Sequence, residues 1–172
     1  MAKTALLVME MQADYLREKR IAKFTYDTEK LVDAVNAAIR KYAAEGCEIV
    51  YLRQIFPDTP SNRIIFGFNI VGTEGAELWD KLDVVSEHIF DKNIADLFAD
   101  EKIAAFFAQQ GYTEYLLCGI DECGSVAATA LGAKKTGAAV KILRDATGTR
   151  FDTRKKGETR AKMKLNGIEY ID

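Results

Sequence analysis

Short, nearly unbroken apolar runs recur along this chain with helix-period segments between them: "TALLVM" at 4–9, "CEIVYLR" at 47–53, "TEYLLC" at 113–118 and "AAVKILRD" at 138–145. Runs of four to eight apolar residues are what strands of a parallel sheet look like when both faces are covered. Between the first two runs, "DTEKLVDAVNAAIRKYAAEG" puts Leu31, Val32, Val35, Ala38, Ile39 and Tyr42 on one helical face. Asp27 or Thr28 can cap its start, and Gly46 ends it. Strand, helix and strand in that order make a right-handed crossover unit.

The pattern continues with "VVSEHIF" at 84–90 read as a strand, "DEKIAAFFAQQG" as a helix stopped at Gly111, a helix after residue 125, a basic helix near 153–165 and a terminal strand "IEYI". Both prolines, Pro57 and Pro60, fall in a long connection after Arg53 that reads as irregular, followed by a short helix from about Glu74 to Leu82. Six strands alternating with helices predict a three-layer α/β/α sandwich around a mainly parallel, Rossmann-like sheet, formed as one domain over residues 1–172.

Several function classes are disfavoured. A formal net charge of −2 offers no general attraction to phosphate backbones or anionic lipid, so neither nucleic acid nor membrane is an expected partner. The start of the chain shows no signal-like segment, and no stretch approaches the roughly 20 apolar residues that span a bilayer, which predicts a cytoplasmic protein. Three cysteines without a C-x-x-C, and a single histidine, argue against a disulfide framework or structural zinc. His88 reads as a partly buried, hydrogen-bonded residue, Trp79 as core or interface, and "RFDTRKKGETRAKMK" as a solvated helix face.

Parallel α/β sheets bind ligands beyond the carboxyl ends of their strands. That rule selects Glu10 after the first strand, Lys92 after "SEHIF", and the turn from Gly119 to Ser125. The turn carries two candidate nucleophiles, Cys123 and Ser125. Two residues apart near a helix start they diverge by about 200°, so only one can face a pocket. The alternative use of Asp121 and Glu122 is capping of the helix that follows.

With these pieces in order, the chain resembles the isochorismatase-like, or cysteine, hydrolase superfamily. The resemblance rests on "ALLVMEMQADYL", "GTEGAEL", "DKNIADLF", "GIDECGSVAATALGAKKTG" and "ILRDATGT", and it covers nearly the whole chain. It aligns Ser125, without a gap, with the family's nucleophilic cysteine, leaving Cys123 as second choice, and it puts Glu10 where the family has an aspartate. It implies an acid, lysine and nucleophile set of Glu10, Lys92 and Ser125. It further implies a cis peptide between Ile120 and Asp121 and an oxyanion hole from the N–H groups of Asp121 and Ser125. Either Glu10 or a neutral Lys92 could take the serine proton.

Nicotinamidases of the superfamily hold a metal after the second strand, but here that position reads "LRQIFPDTPSN", without histidine, so neither metal nor other cofactor is expected. The activity implied is hydrolysis of a small-molecule amide or related C–N bond. Vinyl ether hydrolysis with Glu10 as acid and a catalytically silent binding or assembly role are the alternatives. Members usually form homodimers or larger assemblies, and "RIIFGFNIV" would suit an interface.

Overall fold

The computed structural model describes residues 3–19 and 24–172. Its strands are β1 (Thr4–Met9), β2 (Glu48–Gln54), β3 (Ile89–Lys92), β4 (Glu114–Ile120), β5 (Ala139–Gly148) and β6 (Glu169–Ile171). Its helices are α1 (Ala13–Leu16), α2 (Thr28–Ala44), α3 (Pro60–Ile65), α4 (Glu101–Gln110), α5 (Ala127–Lys135) and α6 (Thr153–Leu165). All six strands join one sheet in the order β3-β2-β1-β4-β5-β6, and every ladder is parallel.

Alternation along β1 builds two cores at once. Ala5, Leu7 and Met9 pack on one face against Ile103 and Phe107 of α4, Ala130 of α5 and Met163 of α6. Leu6 and Val8 pack on the other against Val35 and Ile39 of α2. Residues Ala5 to Met9 are wholly buried, as a central strand covered on both faces must be. The result is the expected α/β/α sandwich. No helix among the described residues is long and apolar enough to cross a membrane.

The structure corrects the sequence reading at several elements. β3 starts at Ile89 rather than Val84: the Tyr51 hydroxyl donates to the Asp83 carbonyl at 2.7 Å and accepts from the Val85 N–H at 3.0 Å, which diverts this backbone from the sheet. The helix expected over residues 74–82 is a single 3-10 turn, Glu74–Ala76. There the backbone turns to the chain after β1 instead, with Trp79 N–H donating to the Met11 carbonyl at 2.8 Å and Leu78 bridging Gln12. The connection after β2 contains α3, capped by Thr59 and opened by Pro60 at a position where its missing N–H costs nothing. β5 runs on to Gly148 through a register shift opposite Leu117 and Gly119.

His88 pairs with Glu48 at 2.9 Å, and Trp79 is partly buried on the α2 side of the core.

Candidate active site

Chain connections leave β1 toward β2 and β3 on one side and resume at β4 on the other, so a crevice opens beyond the carboxyl ends of β1 and β4. Glu10 sits at that end of β1 in a left-handed conformation, φ 52°, which few non-glycine residues adopt. Hydrogen bonds from its N–H to the Leu52 carbonyl (2.7 Å) and from Gln12 N–H to its own carbonyl (2.8 Å) hold it there.

Lys92 ends β3, two strands away from β1. Neighbouring strands lie about 4.8 Å apart, so only a long side chain can cross β2 to reach Glu10. Lys92 does so over its register partner Gln54. Its Nζ donates to Glu10 Oε1 at 2.5 Å, Gln54 Oε1 at 3.0 Å and the Ile94 carbonyl at 3.0 Å, and lies 3.4 Å from Ser125 Oγ. As the charged partner of the pair with Glu10, Lys92 has three protons, which match its first three partners.

Beyond β4 the peptide bond between Ile120 and Asp121 is cis. A wide turn, Glu122–Val126, then leads into α5, closed by Val126 N–H to the Asp121 carbonyl at 3.1 Å. Asp121 caps it through Cys123 N–H at 3.0 Å and ties it to the end of β5 through Thr149 Oγ1 at 2.6 Å. Glu122 does something other than cap: its carboxylate is buried and takes both arms of Arg160, at 2.6 and 3.1 Å. Gly119 at the end of β4 has φ 100°, and a Cβ there would run into the Met9 carbonyl, so β1 and β4 approach each other only with glycine in place.

A cavity of about 380 Å³ opens over these groups, with Glu10, Gln54, Asp121 and Ser125 among its polar lining residues. Cys123 does not line it, and its N–H is taken by the Asp121 carboxylate. The apolar wall comes from Tyr15, Phe24, Phe56, Phe66 and Phe68. Phe56 and Phe66 stack with ring centres 3.9 Å apart and planes at 3°. Burial, reinforced by the charge of Glu10, pushes the Tyr15 phenol well above its usual range, so it remains neutral. Arg150 closes the rim with Nε 3.6 Å from Asp121.

The structure thus brings Glu10, Lys92 and Ser125 together, with Ile120 and Asp121 on the same wall. Sequence reasoning passed over Gln54, Tyr15, Phe56 and Arg150 as site residues. Gln54 ends β2, and the strand-end rule that selected Glu10 applies to it equally.

A carboxylate, a buried lysine and a hydroxyl gather here beyond the strand ends of a parallel α/β sheet, where such folds place their ligands. The chain belongs to the isochorismatase family: the Isochorismatase domain matches residues 4–171. Its fold is similar to the pyrazinamidase of Pyrococcus horikoshii in complex with zinc, with 26% identity, TM-score 0.84 and 99% of each chain covered. It is also similar to the nicotinamidase of Bacillus subtilis (20% identity, TM-score 0.84, 99% of each chain covered). A third similar fold is the N-carbamoylsarcosine amidase of Thermoplasma acidophilum (21% identity, TM-score 0.80, 98% of this chain and 95% of the other). No curated protein sequence matches the chain.

The zinc of the pyrazinamidase complex prompts a test of fit. After β2 this chain offers the Gln54 amide, whose oxygen already serves Lys92, and then Phe56. Among the described residues no three His, Cys, Asp or Glu side chains converge as a metal site. A neutral amide followed by a phenyl ring is not a donor set for a divalent ion, so these residues do not fit the metal.

Proposed function

We propose that this protein hydrolyses a small-molecule amide or related C–N bond, with Ser125 as nucleophile. The observation that carries the reading is the buried Lys92 amine in contact with both Glu10 and Ser125, two residues that line the cavity. In this reading Lys92 is the cation of its pair with Glu10, and Glu10 is the base.

Ser125 Oγ attacks the carbonyl carbon while its proton passes to Glu10. The developing oxyanion is received by the N–H groups of Asp121 and Ser125 at the start of the turn. As the C–N bond breaks, Glu10 returns the proton to the leaving nitrogen, giving an acyl ester on Ser125 and a free amine. Water, deprotonated by Glu10, attacks that ester, and the proton returns to Ser125 as the carboxylic acid product departs. Tyr15, held neutral, contributes shape and takes no proton.

Support for an amide comes from the family and from the named activities of the amidases that share the fold. Ile64, Ile65 and Val71, exposed beside the aromatic wall, are taken in this reading as contacts between copies of the chain, and the protein as cytoplasmic.

The test is a panel of small amides, ureas and esters assayed for amine or acid release by the parent protein and by Ser125→Ala. Turnover by the parent that disappears in Ser125→Ala supports the reading. Turnover that survives in Ser125→Ala, or release of pyruvate from isochorismate with no amide turned over, replaces it with the Glu10 acid mechanism. No turnover on any member of the panel, followed by activity in a Glu10→Asp, Ser125→Cys variant, identifies a silent descendant.

A further inference from the structure

Two backbone N–H groups can receive one oxyanion only if the chain between them is held still. The helix that follows does not hold the chain from Asp121 to Ser125. Gly124, with φ −117° and ψ −111°, departs from helical geometry, so the ladder of α5 does not extend back to Asp121. Hydrogen bonds to the Asp121 carbonyl from Gly124 N–H (2.9 Å) and Val126 N–H (3.1 Å) close the turn on itself, which fixes its shape but not where it stands. Thr149 and Arg150, just beyond β5, hold its first residue, Asp121. Its outer side is held from α6, where Nε and Nη2 of Arg160 donate to the Glu122 carboxylate at 2.6 and 3.1 Å.

Stability alone is a weak reason for that contact. Glu122 is 1% exposed, and an apolar side chain of similar size often stabilises such a place as well as a buried ion pair does. What a bidentate pair adds is direction, because its two parallel N–H···O bonds are satisfied together in only one geometry. The arm that reaches Glu122 is also fixed at its root. Met163, on the next turn of α6, is buried in the core, and the Arg160 guanidinium lies 5.2 Å from the Tyr170 ring.

Resting on the reading of Ser125 as nucleophile, we propose that Arg160 and Glu122 are positioning residues for the oxyanion site. By anchoring the turn between Asp121 and Ser125 to α6, they set the spacing of its two N–H donors. Neither residue lines the cavity, so neither touches the substrate. Loss of the anchor weakens binding of the transition state, where the oxyanion forms, and leaves ground-state binding in the cavity in place.

The test is hydrolysis of p-nitrophenyl acetate, read as p-nitrophenolate release above that of Ser125→Ala. A bond forms from Ser125 Oγ to the acyl carbon, the ester C–O bond breaks, p-nitrophenolate leaves with the electron pair, and the serine proton goes to Glu10. Water then releases acetate, and Ser125 recovers its proton. At a temperature where circular dichroism shows the variant folded, Arg160→Met is expected to lower kcat by about tenfold or more, with KM held within about twofold. Arg160→Lys, which keeps the charge but not the fork of donors, should recover part of the loss. Because the two residues act through one contact, Arg160→Met made on a Glu122→Gln background should lower kcat by less than about twofold further. Arg154→Met, on the exposed face of the same helix, is the control and should leave kcat as it is. Should Arg160→Met fail to fold, Glu122→Gln against the parent carries the same comparison of kcat with KM. An unchanged kcat in the folded variant, a change in KM that accounts for the loss, no recovery in Arg160→Lys, or losses that add in the double variant would each overturn this proposal and leave the hydrolase reading standing. No Ser125-dependent release by the parent would overturn both, since the turn would then have no oxyanion to receive.

Discussion

Lys92 Nζ and Glu10 Oε1 form an ion pair at 2.5 Å with side chains 0% and 5% exposed, so neither charge has water to fall back on. Removing one partner leaves the other buried and unpaired. Lys92→Met is therefore expected to lower unfolding stability by about 3–5 kcal/mol. Adding Glu10→Gln to it should recover part of the loss, because the stranded charge is gone. Urea denaturation of the single and double variants, with the m-value checked for constancy, measures both effects.

Ser125 and Cys123 lie two positions apart, and Ser125 lines the cavity while Cys123 does not. On any amide the protein turns over, Ser125→Ala should lower kcat/KM by on the order of 10³ or more, as loss of a nucleophile does. Cys123→Ala should stay within about twofold, since a substitution outside the cavity removes no interaction with the transition state. Equal losses in the two variants would mean that the turn adopts a different register when substrate binds.

The strand ends carrying Glu10, Lys92 and Ser125 were legible because apolar runs mark parallel strands and ligands gather where such strands stop. Gly119 was legible as a turn residue, and the structure shows why glycine is needed there, with φ 100° against the Met9 backbone. Val84 and Val85 misled because β-branched residues suggest a strand, whereas the Tyr51 hydroxyl claims their neighbouring backbone groups. The 74–82 segment misled for a tertiary reason too: its helical period was overridden by pairing with Met11 and Gln12, and Gly75 sits hard against the buried Asp14 carboxylate. Gln54 was in plain view, but its contact with Lys92 depends on the β2–β3 register, which one strand's sequence does not state. Thr59 before Pro60 was a readable helix start that two prolines and the polar residues between and after them obscured.

Arg160 and Glu122 show why the basic stretch is more than a solvated face. Most of α6 is exposed, yet Arg160 reaches in to hold the buried Glu122 carboxylate of the turn that bears Ser125, and its guanidinium lies 5.2 Å from the Tyr170 ring. Arg160→Met should lower stability by about 2–3 kcal/mol, below the full cost of breaking a buried pair because Arg160 is itself partly solvated. Arg154→Met, which breaks the exposed pair with Glu158 on the same helix, should change it by less than about 0.5 kcal/mol. Thermal or urea unfolding of the two variants side by side makes the comparison. Similar losses would place the weight on helix propensity rather than on the Glu122 contact.

Glu114 supplies a pH dependence whose sign is fixed by its contacts. Lys141 Nζ at 2.7 Å, and then Thr4 Oγ1 at 3.0 Å, hold its carboxyl below the ordinary value of 4.5, and they tie β4 to its neighbours β5 and β1. A carboxylate whose pKa is depressed on folding adds stability that is fully present above the unfolded value and is lost as pH falls through the folded value. Lys141 is partly solvated, which limits the contribution at pH 7 to less than about 1 kcal/mol. Glu114→Gln should therefore be slightly less stable than the parent at neutral pH, and the gap should close as the solution is acidified below the unfolded carboxylate value. Urea midpoints of both proteins, followed from neutral pH into the acid range at constant ionic strength, give the difference directly. A gap that stayed constant with pH would mean that the substitution costs packing rather than charge, and a gap that widened in acid would reverse the assigned direction of the shift.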